Sequence, residues 1–129
     1  MRLWHEDLIP KLPRQQLLGQ HRECCALRGN GWSKKHATVN YVFSHKLEFL
    51  VAYHLKVIEE MQLRGYNASA EWLDYNYRGK ACGKAKLDLS SIDRIKNLKP
   101  IYREHDNNYL LECIENLKSK GIELEEERK

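Results

Sequence analysis

Between residues 44 and 64 the apolar positions Leu47, Leu50, Val51, Leu55, Ile58 and Met61, with His54 among them, recur in steps of three and four. That is the spacing of one buried helical stripe, and Gly65 behind it reads as the stop. Ser44 is placed to cap this helix at its start. A second stripe, Tyr109, Leu110, Cys113, Ile114 and Leu117, predicts a helix over 106–120, with Asp106 as its cap and Gly121 as its end. A third helix is predicted from Pro13, whose missing N–H suits a first turn, to about Leu27. Leu17, Leu18, Cys24 and Cys25 form its buried side, and Gly29-Asn30-Gly31 closes it.

The remaining segments carry weaker patterns. Residues 1–12 place Leu3, Trp4, Leu8, Ile9 and Leu12 among charges, which fits either a short helical turn or an extended arm. Gly29 to His36 reads as a loop in which Trp32 stands beside Lys34 and Lys35. Lysines there suit phosphate, and an indole can stack on a base or fold back on the core. The run from Ala37 to Phe43 is too short to separate strand from helix. Tyr66 to Leu98 reads as loop-rich, with the basic cluster Arg78, Lys80, Lys84 and Lys86 but no GxxxxGK[ST] phosphate loop. His54, on an apolar stripe, reads as a core histidine with its hydrogen bonds satisfied.

Composition narrows the class. A chain of 129 residues with 42% hydrophobic and 31% charged residues, seven Gly and three Pro is expected to be one globular, helix-rich domain over 1–129. Ile122 to Lys129 reads as a frayed acidic tail. No apolar run approaches the roughly 18 residues of a membrane span. The four cysteines include the neighbours Cys24-Cys25, with no CxxC, so they read as reduced thiols of a soluble, cytoplasmic protein. Adjacent helical positions diverge too far to chelate one ion together, and no metal or other cofactor is expected. The net charge of +4 is uneven: 18 Lys and Arg against 11 Asp and Glu up to residue 105, then 4 against 7. A basic body of +7 with a tail of −3 suits a polyanion such as nucleic acid.

The candidate chemistry lies in Leu17-Leu18-Gly19-Gln20-His21-Arg22-Glu23. On a helix Arg22 and Glu23 stand about 100° apart, and Gln20 neighbours Glu23. One element then offers a cation for phosphate and a carboxylate for proton transfer.

Three stretches together resemble the pyrimidine-dimer DNA glycosylases, the endonuclease V family first known from a bacteriophage. They are Arg2 followed by Leu8 and Leu12; Gln15-Gln16-Leu17-Leu18-Gly19-Gln20-His21-Arg22-Glu23; and Lys46-Leu47-Glu48-Phe49-Leu50 opening a helix that ends in Leu63-Arg64-Gly65-Tyr66. The resemblance covers roughly the first half of the chain. It implies an all-α single domain of three main helices with long connecting loops. It also implies an enzyme that cuts the glycosidic bond at a pyrimidine dimer and then nicks the strand, with double-stranded DNA carrying damaged bases as its partner; a monomer is expected. The family nucleophile is the N-terminal α-amine, which at an ordinary pKa near 7.7–8.0 is far more often unprotonated than a lysine. That role falls on Met1, retained because Arg2 is bulky. The essential carboxylate falls on Glu23. Arg2 and Arg22 would hold phosphates or the lesion, and His21, Arg28, Lys34 and Lys35 complete the expected DNA-binding set. The family's third arginine has Ala26 in its place, with Arg28 two residues on as substitute, and its basic aromatic tail is replaced by an acidic end. Beside this reading stand two others: a non-catalytic nucleic-acid-binding module with the same fold and basic face, and a protein-interaction domain that uses the acidic tail.

Overall fold

A computed structural model describes residues 2–34 and 38–124. Four α-helices appear in chain order: α1 (Arg14–Arg28), α2 (Leu47–Leu63), α3 (Leu89–Lys96) and α4 (Asn107–Ser119). Short 3-10 turns lie at Glu6–Lys11, Asn40–Ser44 and Ala70–Leu73. The architecture is all-α, and the three long helices are those the apolar stripes predict. Among the described residues the only β pairing is an isolated bridge between Tyr77 and Lys84.

Helix α2 organises the rest. Its stripe is wider than the sequence pattern suggests, since Ala52, Tyr53 and Val57 are buried along with Leu50, Val51, His54, Leu55, Ile58 and Met61. A helix apolar around most of its circumference has to be enclosed, and α1, α3 and the Glu6–Lys11 turn all pack on α2. Its start corrects one expectation. Ser44 belongs to the preceding 3-10 turn, and the backbone enters α2 at Lys46 with no side-chain cap. Its end follows the sequence: Gly65 adopts φ +80° and the Tyr66 N–H reaches back to the Met61 carbonyl at 2.8 Å, the reversal that favours glycine. Helix α4 begins as expected, with the Asp106 carboxylate accepting the Tyr109 N–H at 2.9 Å.

The stretch read as loop-rich contains α3. Asp88 caps it by accepting the Ser91 N–H at 3.2 Å, and Ile92 is fully buried. Eight residues with one buried apolar side chain give too little periodicity to be read from sequence. At the other end of the chain, Ile122 and Leu124 pack against the core, Glu123 is exposed, and residues 125–129 of the acidic tail lie outside the described residues.

The N-terminal segment is both arm and turn. Residues 2–5 are extended, with Leu3 and Trp4 buried, and lead into the 3-10 turn at Glu6. The Tyr109 hydroxyl donates to the Leu3 carbonyl at 2.5 Å, tying the arm to α4. Beside it His105 is buried between the rings of His5 and Tyr109, with centroids 5.3 and 5.0 Å away. Its Nδ1 accepts the Glu6 N–H at 3.3 Å, which leaves the proton on Nε2, 2.7 Å from the Tyr41 oxygen. Burial pulls His105 down to about 3. The unfolded chain, with an ordinary histidine near 6.5, therefore binds a proton that the folded chain refuses. Stability should fall by up to about 1.4 kcal/mol per pH unit as pH drops from roughly 6.5 towards 3. Urea unfolding at pH 7 and pH 5, compared between the protein and a His105→Gln variant, checks this: the variant's slope should be shallower by up to about 1.4 kcal/mol per pH unit, the remainder coming from His21 and His54, which burial also holds neutral.

Candidate active site

The site is built from α1, the N-terminal arm and the end of α4. Gln20, fully buried on α1, is its keystone. Its carbonyl oxygen accepts the Trp4 N–H at 2.7 Å and the Tyr53 hydroxyl at 2.9 Å. Its amide nitrogen donates to the Arg2 carbonyl at 2.9 Å and to Glu23 Oε1 at 3.2 Å. With its acceptor and both donor hydrogens used, its amide orientation is fixed. The Tyr53 hydroxyl lies 2.5 Å from the Trp4 carbonyl as well, so α2 grips the same arm. One side chain thus joins the beginning of the chain to the Glu23 carboxylate.

Glu23 is half-buried, and burial raises its carboxyl above the usual range against the pull of the Arg22 guanidinium and the Gln20 donor. It borders two clefts. One of about 430 Å³ runs along α1 past Gln16, Gly19, Arg22 and Ala26. A second of about 240 Å³ is lined by Arg2, Thr38 and Asn116. Trp4, Glu23 and Lys120 belong to both. Arg2, Arg22, Lys120 and the Trp4 indole thus line the clefts beside this carboxylate. Cations at such a rim complement phosphate, and a carboxyl shifted towards neutrality can both give and take a proton. A larger cavity of about 650 Å³ runs between the Glu6–Lys11 turn, α2 and α4, where Glu6 is paired with Lys56 at 3.2 Å.

The expected site residues divide. Arg2, Arg22 and Glu23 come together. The Arg2 side chain is held by Glu112 of α4 at 2.6 Å and lies over the Tyr109 ring. Arg22 is exposed with no hydrogen bond or ion pair among the described residues, its guanidinium beside Gly19. Lys34 is exposed in the loop after α1, where Trp32 packs edge-on against Phe43 with centroids 5.2 Å apart. Met1 and Lys35 lie outside the described residues. His21 faces the other way, towards α2, with Nδ1 2.8 Å from His54 Nε2.

Arg28 departs from its expected role as a DNA contact and as substitute for the third arginine. It is fully buried, and its guanidinium donates to the carbonyls of Trp72 at 3.1 Å, Asp74 at 2.9 Å and Tyr77 at 2.9 Å, and to His54 Nδ1 at 3.0 Å. Seven residues beyond His21, it falls on the inner face of α1, and its fork closes the Trp72–Tyr77 segment over the helix end. No phosphate can reach it there.

Trp4, Tyr53 and Lys120 are the members the sequence reading left out; Gln20 was placed beside Glu23 by its spacing, without its bonds to the arm. Lys120 arrives from the far end of the chain through α4.

Residues 1–74 match the family described as pyrimidine dimer DNA glycosylase. The chain belongs to this family. No curated protein and no solved structure matches it. The glycosylase match spans the arm, α1 and α2, and so contains Arg2, Gln20, Arg22 and Glu23, whereas Glu112 and Lys120 of the α4 end lie beyond it.

Gln20 is open to a direct test. Gln20→Leu leaves the buried Trp4 N–H without an acceptor, at about 1–3 kcal/mol, and takes the Gln20 donor from the carbonyl of half-buried Arg2, at about 0.5–1.5 kcal/mol. Urea denaturation should show a loss of about 2–4 kcal/mol in total, and any activity that depends on the position of the chain start should fall further than stability alone explains.

Proposed function

We propose that this member of the pyrimidine dimer glycosylase family is a DNA repair glycosylase and abasic-site lyase, with the α-amine of Met1 as nucleophile and Glu23 as proton-handling carboxylate. The observation that carries this reading is the Gln20 amide, bonded at once to the Arg2 carbonyl and to Glu23. The same amide sets Glu23 beside the backbone of Arg2, the residue that follows the proposed nucleophile.

In this mechanism the amine attacks C1′ of the damaged nucleotide. The C1′–N bond breaks, and its electron pair leaves with the base, which is protonated. The amine loses its proton and the ring oxygen departs, leaving an iminium between the terminal nitrogen and C1′. Loss of a proton from C2′ then expels the 3′ phosphate, and water hydrolyses the imine. Glu23 stabilises the cationic sugar and relays the protons, while Arg2, Arg22 and Lys120 hold flanking phosphates. Reaching a stacked lesion costs a few kcal/mol of unstacking, and less where damage has already weakened the stack.

Borohydride trapping tests the proposal on a duplex with one thymine dimer and on another with one abasic site, read by gel and by the mass of the N-terminal peptide. An adduct on residue 1 with both supports glycosylase and lyase. An adduct with the abasic site alone reduces the protein to a lyase. No adduct from protein with a free amine, together with salt-dependent DNA binding, favours the non-catalytic binding module.

A further inference from the structure

The inner face of α1 carries a second cluster, unrelated to Glu23. His21 and Cys25, one helical turn apart, face His54 of α2. His21 Nδ1 lies 2.8 Å from His54 Nε2. Cys25 Sγ lies 3.8 Å from His21 Nε2, and 3.9 Å from both His21 Nδ1 and His54 Nε2. One candidate ligand atom from each residue falls within 4.8 Å of the others. His54 is fully buried, whereas His21 and Cys25 are half-buried, so the cluster is open to solvent on one side.

Arg28 fixes the protonation of this group. A guanidinium can only donate, so its Nη1, 3.0 Å away, makes His54 Nδ1 an acceptor. The His54 proton therefore sits on Nε2 and is donated to His21 Nδ1, and the His21 proton sits on Nε2. The chain Arg28 to His54 to His21 holds both imidazoles neutral, in agreement with burial, which lowers the pKa of each.

We propose that His21, Cys25 and His54 are a binding site for a borderline divalent cation of the Zn²⁺ type, pinning α1 to α2. Tetrahedral zinc, with bonds of about 2.0–2.1 Å to nitrogen and about 2.3 Å to sulfur, separates its ligands by roughly 3.3 Å (N to N) and roughly 3.6 Å (N to S). The thiol already stands near that separation, and the two imidazole nitrogens need to part by about half an ångström. Imidazole and thiolate select Zn²⁺ or Co²⁺ over Mg²⁺ and Ca²⁺, which need oxygen ligands. No carboxylate belongs to the cluster among the described residues.

The exchange balances. The proton on His54 Nε2 and the thiol proton of Cys25 go to solvent, so that His54 binds as an imidazolate opposite the Arg28 guanidinium and Cys25 as a thiolate, and His21 Nδ1, freed of its hydrogen bond, offers its lone pair. Two protons leave for one divalent ion, so the buried charge is unchanged, with Arg28 still set against His54 Nδ1. The open side leaves a fourth position to water. Burial pushes the Cys25 thiol up to about 11, so the ion has to compete with that proton and affinity rises with pH.

The test uses the full chain, treated with chelator and titrated with Co²⁺ and then Zn²⁺. The expected result is a thiolate-to-cobalt absorption band saturating at one equivalent, bleached by Zn²⁺, with two protons released per ion and a raised melting temperature. Cys25→Ser and His21→Asn, both at half-buried positions, should each weaken binding by at least about tenfold, whereas Cys82→Ser should bind as the parent does. Absence of the thiolate band, or a band that survives Cys25→Ser at parental affinity, overturns the site. Release of fewer than two protons overturns the exchange set by Arg28. Borohydride trapping at residue 1 reads the proposed catalytic reaction separately.

Discussion

Glu23→Gln should lower strand cleavage at an abasic site by about 10²- to 10⁴-fold, the range over which a positioned proton-transfer group contributes. The change is nearly isosteric and leaves Oε1 as an acceptor for the Gln20 amide, so the arm should stay in place. Duplex binding at fixed salt should then match the parent within about twofold, because the phosphate contacts proposed for Arg2, Arg22 and Lys120 do not involve Glu23. The pH profile carries a second signature. Burial raises the Glu23 carboxyl, so the acid limb of cleavage in the parent should lie above the ordinary carboxylate range, and the Gln variant should lose that limb. Single-turnover cleavage across pH, with binding followed in parallel, reads both. Cleavage at the parental rate in Glu23→Gln would remove the carboxylate from the mechanism.

Arg28→Met is expected to have the largest effect on stability. The guanidinium, held by burial at a pKa of about 10 and so still charged at neutral pH, is the common donor for carbonyls at 72, 74 and 77. Methionine keeps the length of the stem but satisfies none of them. Removing one member of a buried charged network typically costs about 3–5 kcal/mol, which for a domain of this size corresponds to a fall in melting temperature on the order of 10–20 °C. Scanning calorimetry measures it. A melting temperature within a few degrees of the parent would mean that the Trp72–Tyr77 segment finds other donors. The same experiment separates the two arginine classes, since Arg22→Ala on the exposed face should leave stability nearly unchanged while weakening DNA binding and its salt dependence.

How far the sequence carries can be followed residue by residue. The helices α1, α2 and α4 were legible because each buries a stripe at the helical period and ends on a local signal: Asp106 as cap, or Gly65 and Gly121 at positive φ. Such signals act within a few residues and need no knowledge of the fold. The Gln20–Glu23 pair was legible for the same reason, as neighbours on one helical face. Ser44 and α3 were misread where local cues are weak: a serine can cap only if the chain leaves it at the right angle, and α3 is defined by Asp88 and the fit of Ile92 against α2.

Arg28 and His54 show the limit most clearly. In sequence Arg28 is one more cation near the end of a basic helix, and only the packing of Trp72–Tyr77 over that end turns it inward to bind carbonyls. His54 reads as a core histidine, and it is one, but its partners Arg28 and His21 come from another helix. The chain alone determined the three long helices, where the basic and acidic charge lies, and the family to which residues 1–74 belong. The tertiary structure decided which cations remain free for phosphate and which are spent inside. It also decided that Lys120 and Glu112 meet the N-terminal arm, and that two imidazoles and a thiol converge. Those outcomes depend on contacts between residues 29 to 110 positions apart, and hydrophobic periodicity carries no information about partners at that range.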